Sequence, residues 1–174
     1  MINIRRCEDS HIQAVYDLAY RQFGDAVTSP AQIAMILSRY RDGLQIAARK
    51  IGNLEGSVEV KGYFFLFPIS RTCTEKILDF SFDVSKLIPS DITPKLRYAH
   101  AVYIGGIVGE GLGVKAELLG ALKMSSALAA KTKTKVAYAR AATPAGLRIL
   151  EKHGFVPSHP NAAGLGNFYK RSFE

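Results

Sequence analysis

A glycine-rich segment in the second half of the chain constrains its fold more than any other feature. The run Gly109-Glu110-Gly111-Leu112-Gly113 follows a β-rich stretch at residues 99–108 and precedes a helical pattern over residues 114–130. Glycines let the backbone approach a bound group closely. The first amides of a helix have no partners inside it and carry the positive end of its dipole. The segment therefore predicts an anion site, suited to a pyrophosphate, at a strand-to-helix junction.

Two common phosphate-binding motifs do not fit this segment. A P-loop requires Lys and then Ser or Thr after its last glycine, whereas Gly113 is followed by Val114-Lys115. A dinucleotide-binding motif has the spacing Gly-x-Gly-x-x-Gly after the first strand of a parallel sheet; here the glycines alternate and come late in the chain. A loop that binds acyl-CoA remains as an alternative, beside a plain glycine-rich turn.

The rest of the chain alternates short strands and helices. Adjacent glycines, Gly105-Gly106, predict a bulge in the strand before the glycine-rich segment. Further strands are predicted at residues 2–6, 44–49, 57–68, 135–141 and, as an edge strand, 167–173, with a hairpin turn at 53–56. Helix starts are predicted from a capping-box spacing at Ser10 and Gln13, from Ser29-Pro30 and from Thr143-Pro144, and a further short helix is predicted at residues 71–78.

This order of elements is typical of a mixed α/β (α+β) domain in which helices flank a mostly antiparallel central sheet. The strands on either side of the helix at 114–130 supply one parallel pairing through a right-handed crossover. We expect a single domain over residues 1–174, with a helix-and-loop insertion at 71–97. Because long connections between strands are often functional, we expect this insertion to shape a substrate pocket.

Composition excludes several classes of protein. Apolar residues make up 48% of the chain, well above the content of disordered proteins. Cys7 and Cys73 are far apart and indicate neither a disulfide framework nor a zinc site. The sequence begins without an apolar leader and has no stretch of ~20 apolar residues, so we predict a cytoplasmic protein with no membrane span. The net charge of +8 leaves nucleic acid, a phosphorylated cofactor or plain solubility open as explanations.

Two segments of the chain carry a resemblance to a known family. Val108 through Gly113 match the pattern Gln/Arg-x-x-Gly-x-Gly/Ala at both glycines, after a strand and at the opening of a helix. Glu151-Lys152-His153-Gly154-Phe155 matches a later pattern, Glu-Lys-x-Gly-Phe, at the expected distance. In both, and over nearly the whole chain, the sequence resembles the GNAT superfamily of acetyl-CoA-dependent N-acetyltransferases. The resemblance implies a sheet whose central strands splay apart.

The resemblance also implies roles for particular residues. In the family, the strand before the loop lines the thioester and the pantetheine arm, the loop amides hold the pyrophosphate, and a residue at the start of a later helix contacts pantetheine. No metal is implied. The corresponding positions are Val102, Tyr103 and Ile104 for the thioester and pantetheine, Val108, Gly109, Glu110, Gly111, Leu112, Gly113 and Val114 for the pyrophosphate, and Thr143 for the later contact.

Departures from the family pattern concern charge and catalysis. Val108 replaces the usual Gln or Arg, and Glu110 brings negative charge next to the expected phosphates. Leu150 replaces the tyrosine that serves many members as general acid, and leucine cannot donate a proton. His100 is the candidate base, with Tyr98 two residues away and so on the same face of an extended strand. Weaker acid or base candidates are Tyr103, Tyr169 and Glu59.

Three functions are consistent with these patterns. The leading hypothesis is an N-acetyltransferase in which a primary amine of a small molecule, peptide or protein attacks acetyl-CoA directly. A second is a module that binds acyl-CoA with catalysis impaired, because of Leu150. The third, not favoured because no aromatic–basic recognition motif accompanies the charge, is acetylation of an aminoacyl-tRNA. Whether the chain forms a homodimer stays open. Binding of RNA would need one basic face built from Arg39, Arg41, Arg49, Lys131, Lys133 and Lys135.

Overall fold

Strands and helices alternate along the chain, and the computed structural model describes them over residues 2–51, 58–132, 134–159, 161 and 163–173. The strands are β1 (Ile2–Arg6), β2 (Leu44–Lys50), β3 (Val58–Ile69), β4 (Ala101–Gly109), β5 (Val136–Arg140), β6 (Val156–Pro157) and β7 (Phe168–Ser172). The helices are α1 (Ile12–Phe23), α2 (Pro30–Arg39), α3 (Arg71–Leu78), α4 (Leu112–Ala130) and α5 (Pro144–Lys152). The turn predicted at 53–56 and Lys133 lie outside the described residues.

All the strands belong to one sheet with the order β1-β2-β3-β4-β5-β7-β6. Neighbouring strands run antiparallel except for β4 and β5, which are parallel. The predicted mixed fold, with one parallel pairing across the helix after the glycine-rich segment, is confirmed. The prediction that the last strand lies at the edge is wrong, because the two-residue strand β6 pairs with the outer side of β7.

Helix starts follow the capping signals in two of three cases. The Ser29 hydroxyl accepts a hydrogen bond from Gln32 N at 3.2 Å, and the Thr143 hydroxyl accepts one from Gly146 N at 3.0 Å. The capping box predicted at Ser10 is wrong. A 3₁₀ turn at Asp9–His11 precedes α1, and there Glu8 N donates to His11 Nδ1 at 3.1 Å, so the imidazole has the role predicted for the Gln13 side chain, two residues earlier in the chain.

Side chains of each strand alternate between two cores, one on each face of the sheet. Phe65 and Phe67 of β3 pack with α1, α2 and α3, whereas Phe64 and Leu66 pack with α4 and α5. Both cysteines are buried on the α1–α2 face and are free thiols. Within the described ranges, no helix is long and apolar enough to cross a bilayer.

The connection between β3 and β4, residues 71–97, is anchored to the sheet; we call it the 71–97 segment. Its first part is α3, as predicted, and 3₁₀ turns follow. Lys76 Nζ lies 2.8 and 2.9 Å from the two carboxylate oxygens of Asp91, whose side chain is almost fully buried. Asp91 also accepts a hydrogen bond from Ile88 N at 3.1 Å. Thr93 N donates to the Pro68 carbonyl oxygen at 3.1 Å, and this bond ties the segment to the end of β3.

Candidate active site

The parallel pairing of β4 and β5 is short. Residues 102–104 of β4 pair with residues 137–139 of β5, after which β4 continues to Gly109 while β5 ends at Arg140. Beyond this point no described strand lies beside β4 on that side. The backbone of β4 therefore has a free edge from residue 105 onward, and this divergence is the splay that the family resemblance implies.

A bulge lies at the start of this free edge. Phe65 pairs with Gly106 and Leu66 pairs with Ile104, so Gly105 is the extra residue and the predicted bulge is confirmed. A Cβ placed on Gly106 would meet one atom within 4 Å, the Tyr63 hydroxyl oxygen at 4.0 Å. Gly106 therefore leaves room for a ligand to lie against this part of the backbone.

A cavity of about 1460 Å³ opens where β4 and β5 diverge. On one face of the sheet it is lined by the loop between α1 and α2 (residues 25–28) and by residues 83–85 of the 71–97 segment. On the other face it is lined by α4 and α5, and residues 103–107 of β4 lie between the two sides. The cavity thus joins both faces of the sheet at the splay.

The α4–α5 side of the cavity carries positive charge. Lys123, His153 and Arg171 line it, from α4, from the end of α5 and from β7. Burial and the charges of Lys123, Lys152 and Arg171 hold the pKa of His153 below its ordinary value, and no carboxylate among the described residues opposes this. Sequence reasoning missed this group, because its members belong to three separate elements.

The opposite side of the cavity carries charges of both signs. Asp25 and Asp83 line it together with Arg140, the last residue of β5. The hydroxyl and the backbone amide of Ser85 donate to Asp83 Oδ1 at 2.7 and 2.9 Å and hold the pKa of that carboxyl below its usual range. Asp83 is therefore ionised at neutral pH.

A glutamine from α2 fixes the position of residues 83–85. Gln32 Nε2 donates to the carbonyl oxygens of Val84 and Leu87 at 2.8 and 2.9 Å. One amide group thus ties both ends of a 3₁₀ turn to α2 and keeps the Asp83 side of that turn at the cavity.

The glycine-rich segment forms a tight turn between β4 and α4. Gly111 has φ +94, a conformation that favours glycine, and α4 begins at the next residue. Glu110 pairs with Arg21 at 3.0 Å and with Lys61 at 3.2 Å, so its carboxylate points toward α1 and β3. Residues 108–114 are absent from the described lining of the cavity, so the predicted pyrophosphate-binding residues and the first amides of α4 lie outside it.

Solved structures share this architecture. The loading GNATL domain of CurA from Lyngbya majuscula aligns with a TM-score of 0.66 at 12% identity, covering 99% of this chain and 98% of that one. Ard1 from Thermoplasma volcanium gives 0.60 at 16% identity, covering 99% and 98%. An acetyltransferase of the GNAT family from Staphylococcus aureus Mu50 gives 0.60 at 12% identity, covering 100% of both chains.

This chain has the GNAT fold. No family model matches the sequence, and no curated protein matches it either. The likeness is therefore one of architecture, and the roles of individual residues rest on their own geometry.

The residues predicted to contact the thioester and pantetheine lie at the splay of the GNAT fold, with one exception. Tyr103, Ile104 and Thr143 line the cavity. Val102 is fully buried beside Ala137 and lies outside the lining. The cavity instead extends along residues 105–107, past the last paired position.

The predicted catalytic pair, His100 and Tyr98, lies before the start of β4, at the end of the strand away from the glycines. His100 precedes the strand, and its Nδ1 lies 3.2 Å from the Thr74 hydroxyl. Five residues of strand, or ~16 Å, separate it from Gly105. Tyr98 is in a 3₁₀ turn and 64% exposed. Because this part of the chain is not an extended strand, Tyr98 and His100 are not two residues of one strand face. Neither residue lines the cavity.

Other candidates for proton transfer differ in their access to the cavity. Tyr103 lines it, and burial raises the pKa of its hydroxyl, which is therefore neutral. The Tyr169 hydroxyl accepts a hydrogen bond from Gly164 N at 2.8 Å. Glu59 forms ion pairs with Arg49 and Lys61 on the exposed part of β3. Leu150 also lines the cavity, as a hydrocarbon surface.

Proposed function

We propose that this chain belongs to the GNAT superfamily and is an N-acetyltransferase that moves the acetyl group of acetyl-CoA to a primary amine by direct attack. The observation that carries the proposal is the cavity joining both faces of the sheet at the splay of β4 and β5. Two substrates that react directly must meet at one point, and such a cavity admits one from each face. The positive α4–α5 side suits an anionic donor, and the carboxylates of the other side suit a cationic acceptor.

The residues around the splay fit acetyl-CoA. The unpaired edge of the backbone at residues 105–107 can lie against the pantetheine arm, and the first amides of α4 can bind phosphate. A Cβ on Gly113 would meet nothing within 4 Å, so space is open next to those amides. Bound there, acetyl-CoA would supply a thioester carbonyl at the divergence of the strands.

In the proposed reaction the neutral amine nitrogen bonds to the carbonyl carbon and gives up a proton, the carbon–sulfur bond breaks, and the departing thiolate takes up a proton, so that the products are an amide and CoA thiol. We assign to the neutral Tyr103 hydroxyl a hydrogen bond to the developing negative charge. The ionised Asp83 would attract the ammonium form of the acceptor, which loses its proton to water before attack. His100 has no part in this scheme.

A calorimetric titration with acetyl-CoA tests the proposal. Gly113→Glu adds a negative charge at the helix start without backbone strain, whereas Gly111→Glu would be strained at φ +94. We expect Gly113→Glu to lose saturable binding and its matched control, Gly113→Ala, to keep it. No saturable binding by the wild type would reject the proposal. Equal binding by both variants would mean that the phosphates do not bind at the start of α4. They would then be assigned to the side of the cavity that carries Lys123, and Lys123→Gln should weaken acetyl-CoA binding.

Leu150 supports a second candidate, a module that binds acyl-CoA without turnover, because the cavity presents hydrocarbon where many family members have a proton donor. Release of CoA thiol with a broad amine panel separates the two. The RNA-directed alternative has less support. Arg41 lies in the turn before β2 and pairs with Asp9, whereas Arg49 lies near the far end of β2 and pairs with Glu59.

A further inference from the structure

Arg140 is oriented into the cavity by the backbone of a neighbouring loop. Its Nε donates to the Gly166 carbonyl oxygen at 2.8 Å, and its guanidinium carbon lies 5.8 Å from the centre of the Phe168 ring. Gly166 has φ +83, and its amide donates to the Ala141 carbonyl oxygen at 2.7 Å. Gly166 is thus bonded to both Arg140 and Ala141 at the end of β5.

The bond through Nε leaves the two terminal NH₂ groups of Arg140 available. Among the described residues, no carboxylate lies within ion-pair distance of Arg140 and neither NH₂ group has a hydrogen-bond partner. A guanidinium presents paired donors in a plane that match a carboxylate or a phosphate. The residue therefore has the donors for an anion and the orientation to bind one.

The position of Arg140 relates this anion site to the splay. Ala139 is the last residue of β5 that pairs with β4, and Arg140 follows it directly. Its charge acts on the Tyr103 hydroxyl, which lies on the α1–α2 face of the sheet. This is the face assigned to the acceptor, opposite to Lys123 and Arg171.

Aromatic side chains surround the same region. Tyr103 lies 4.6 Å from Phe82 and 6.4 Å from Phe168 between ring centres, and the cavity beside it is also lined by Phe23 and Val84. An acceptor bound at Arg140 would therefore meet an apolar wall as well as a cation.

We propose that Arg140 binds the carboxylate of the acceptor, and that the acceptor is a free α-amino acid with an aromatic or apolar side chain. One carbon separates the carboxylate from the amine, so a carboxylate held at the end of β5 leaves the amine beside the divergence of the strands. The side chain packs on the wall around Tyr103, and the carboxylates of Asp25 and Asp83 face the ammonium group. This inference rests on the proposed acyl transfer and names its acceptor.

Equilibrium binding of three related compounds tests the inference without turnover. L-phenylalanine has both charged groups, L-phenylalaninamide lacks the carboxylate charge, and phenethylamine lacks the carboxyl group. We expect CoA-saturated protein to bind L-phenylalanine at least ~10-fold more tightly than the other two in calorimetry. In Arg140→Gln this preference should vanish, and Arg140→Lys should restore only part of it because a lysine cannot form the paired contact.

Arg148→Gln is the matched control, since it removes the same charge from an exposed position of α5 outside the cavity lining. It should keep the full preference for L-phenylalanine.

Three results would overturn the inference: equal affinity of the wild type for all three compounds, no binding of any of them, or an unchanged preference in Arg140→Gln. Weaker CoA binding by Arg140→Gln with amine binding unchanged would assign the guanidinium to a CoA phosphate instead. Acetylation of amines regardless of a carboxylate would refute this inference alone, whereas failure of CoA to bind the wild type would refute the proposed function.

Discussion

Gly62 of β3 and Gly109 of β4 lie opposite each other, and Leu118 of α4 fills the space that their missing side chains leave. A Cβ on Gly62 would lie 2.7 Å from Leu118 Cδ1, and one on Gly109 would lie 3.3 Å from it. The glycine pair therefore lets α4 approach the sheet and sets where its first amides lie relative to β4. One glycine of the glycine-rich segment thus has a packing role that needs no ligand.

We expect Gly62→Ala to destabilise the fold, because the new Cβ would also lie 2.6 Å from the Val108 carbonyl oxygen, which cannot move without distorting β4. The cost should be about 1–3 kcal/mol in the free energy of unfolding, measured by urea denaturation. Gly120→Ala is the control, since a Cβ there meets nothing within 4 Å and α4 gains helix propensity. Unchanged or greater stability of Gly62→Ala would contradict this packing.

Tyr103→Phe should lower kcat while leaving the Kd for acetyl-CoA unchanged. Loss of one hydrogen-bond donor to developing charge typically costs ~10²-fold or more in rate. The comparison is Tyr138→Phe, which removes a hydroxyl from the buried residue paired with Tyr103, outside the described cavity lining. Steady-state kinetics with a saturating amine and separate calorimetry give the two quantities. A wild-type kcat in Tyr103→Phe would exclude the hydroxyl from catalysis.

Gln32→Leu should raise KM for the acceptor several-fold without changing acetyl-CoA affinity. The substitution removes both hydrogen bonds that tie residues 83–85 to α2, and so it loosens the acceptor side of the cavity alone. Gln13→Leu, which removes an exposed amide from α1, should leave both quantities unchanged. If Gln32→Leu weakened acetyl-CoA binding as strongly as acceptor binding, the assignment of the two faces would be wrong.

His153 should make stability depend on pH. Its pKa is lowered in the folded chain from an ordinary value of 6.5, chiefly by burial. The unfolded chain therefore binds more protons as the pH falls through this range, and the free energy of unfolding decreases toward acid. His153→Gln should flatten the fall in Tm between about pH 7 and pH 5.5, as followed by circular dichroism. Burial also lowers the pKa of His11, so His11 too makes the protein less stable toward acid. The slope of Tm against pH should therefore become smaller in His153→Gln but not fall to zero. Identical slopes for variant and wild type would contradict this account.

The parts of the fold that local chemistry determines could be predicted from the sequence. The caps at Ser29 and Thr143 and the bulge at Gly105 depend on residues within a few positions of each other. The cap predicted at Ser10 is wrong although its spacing fits, because a 3₁₀ turn begins two residues earlier, where the Glu8 amide donates to the His11 imidazole. Spacing alone does not reveal such a competitor.

The charged groups of the cavity were harder to predict, because they come together only in the folded chain. Lys123, His153 and Arg171 converge from three elements, and no spacing in the sequence relates them. The choice of His100 assumed that the strand includes Tyr98, whereas a 3₁₀ turn delays its start and both residues lie far from the splay. Which end of β4 lies at the splay depends on how the strands pair in the whole sheet, and local sequence does not reveal it.

The burial of Cys7 and Cys73 determines how the reaction can be observed. Both thiols are fully inaccessible in the folded chain, and burial raises the pKa of each to about 12. Because disulfide-exchange dyes react with thiolates, the native protein should contribute almost no colour of its own. Each equivalent of dye reduced during turnover would then correspond to one molecule of CoA released. A slow increase in dye absorbance without substrate would indicate that the protein is unfolding and exposing its thiols.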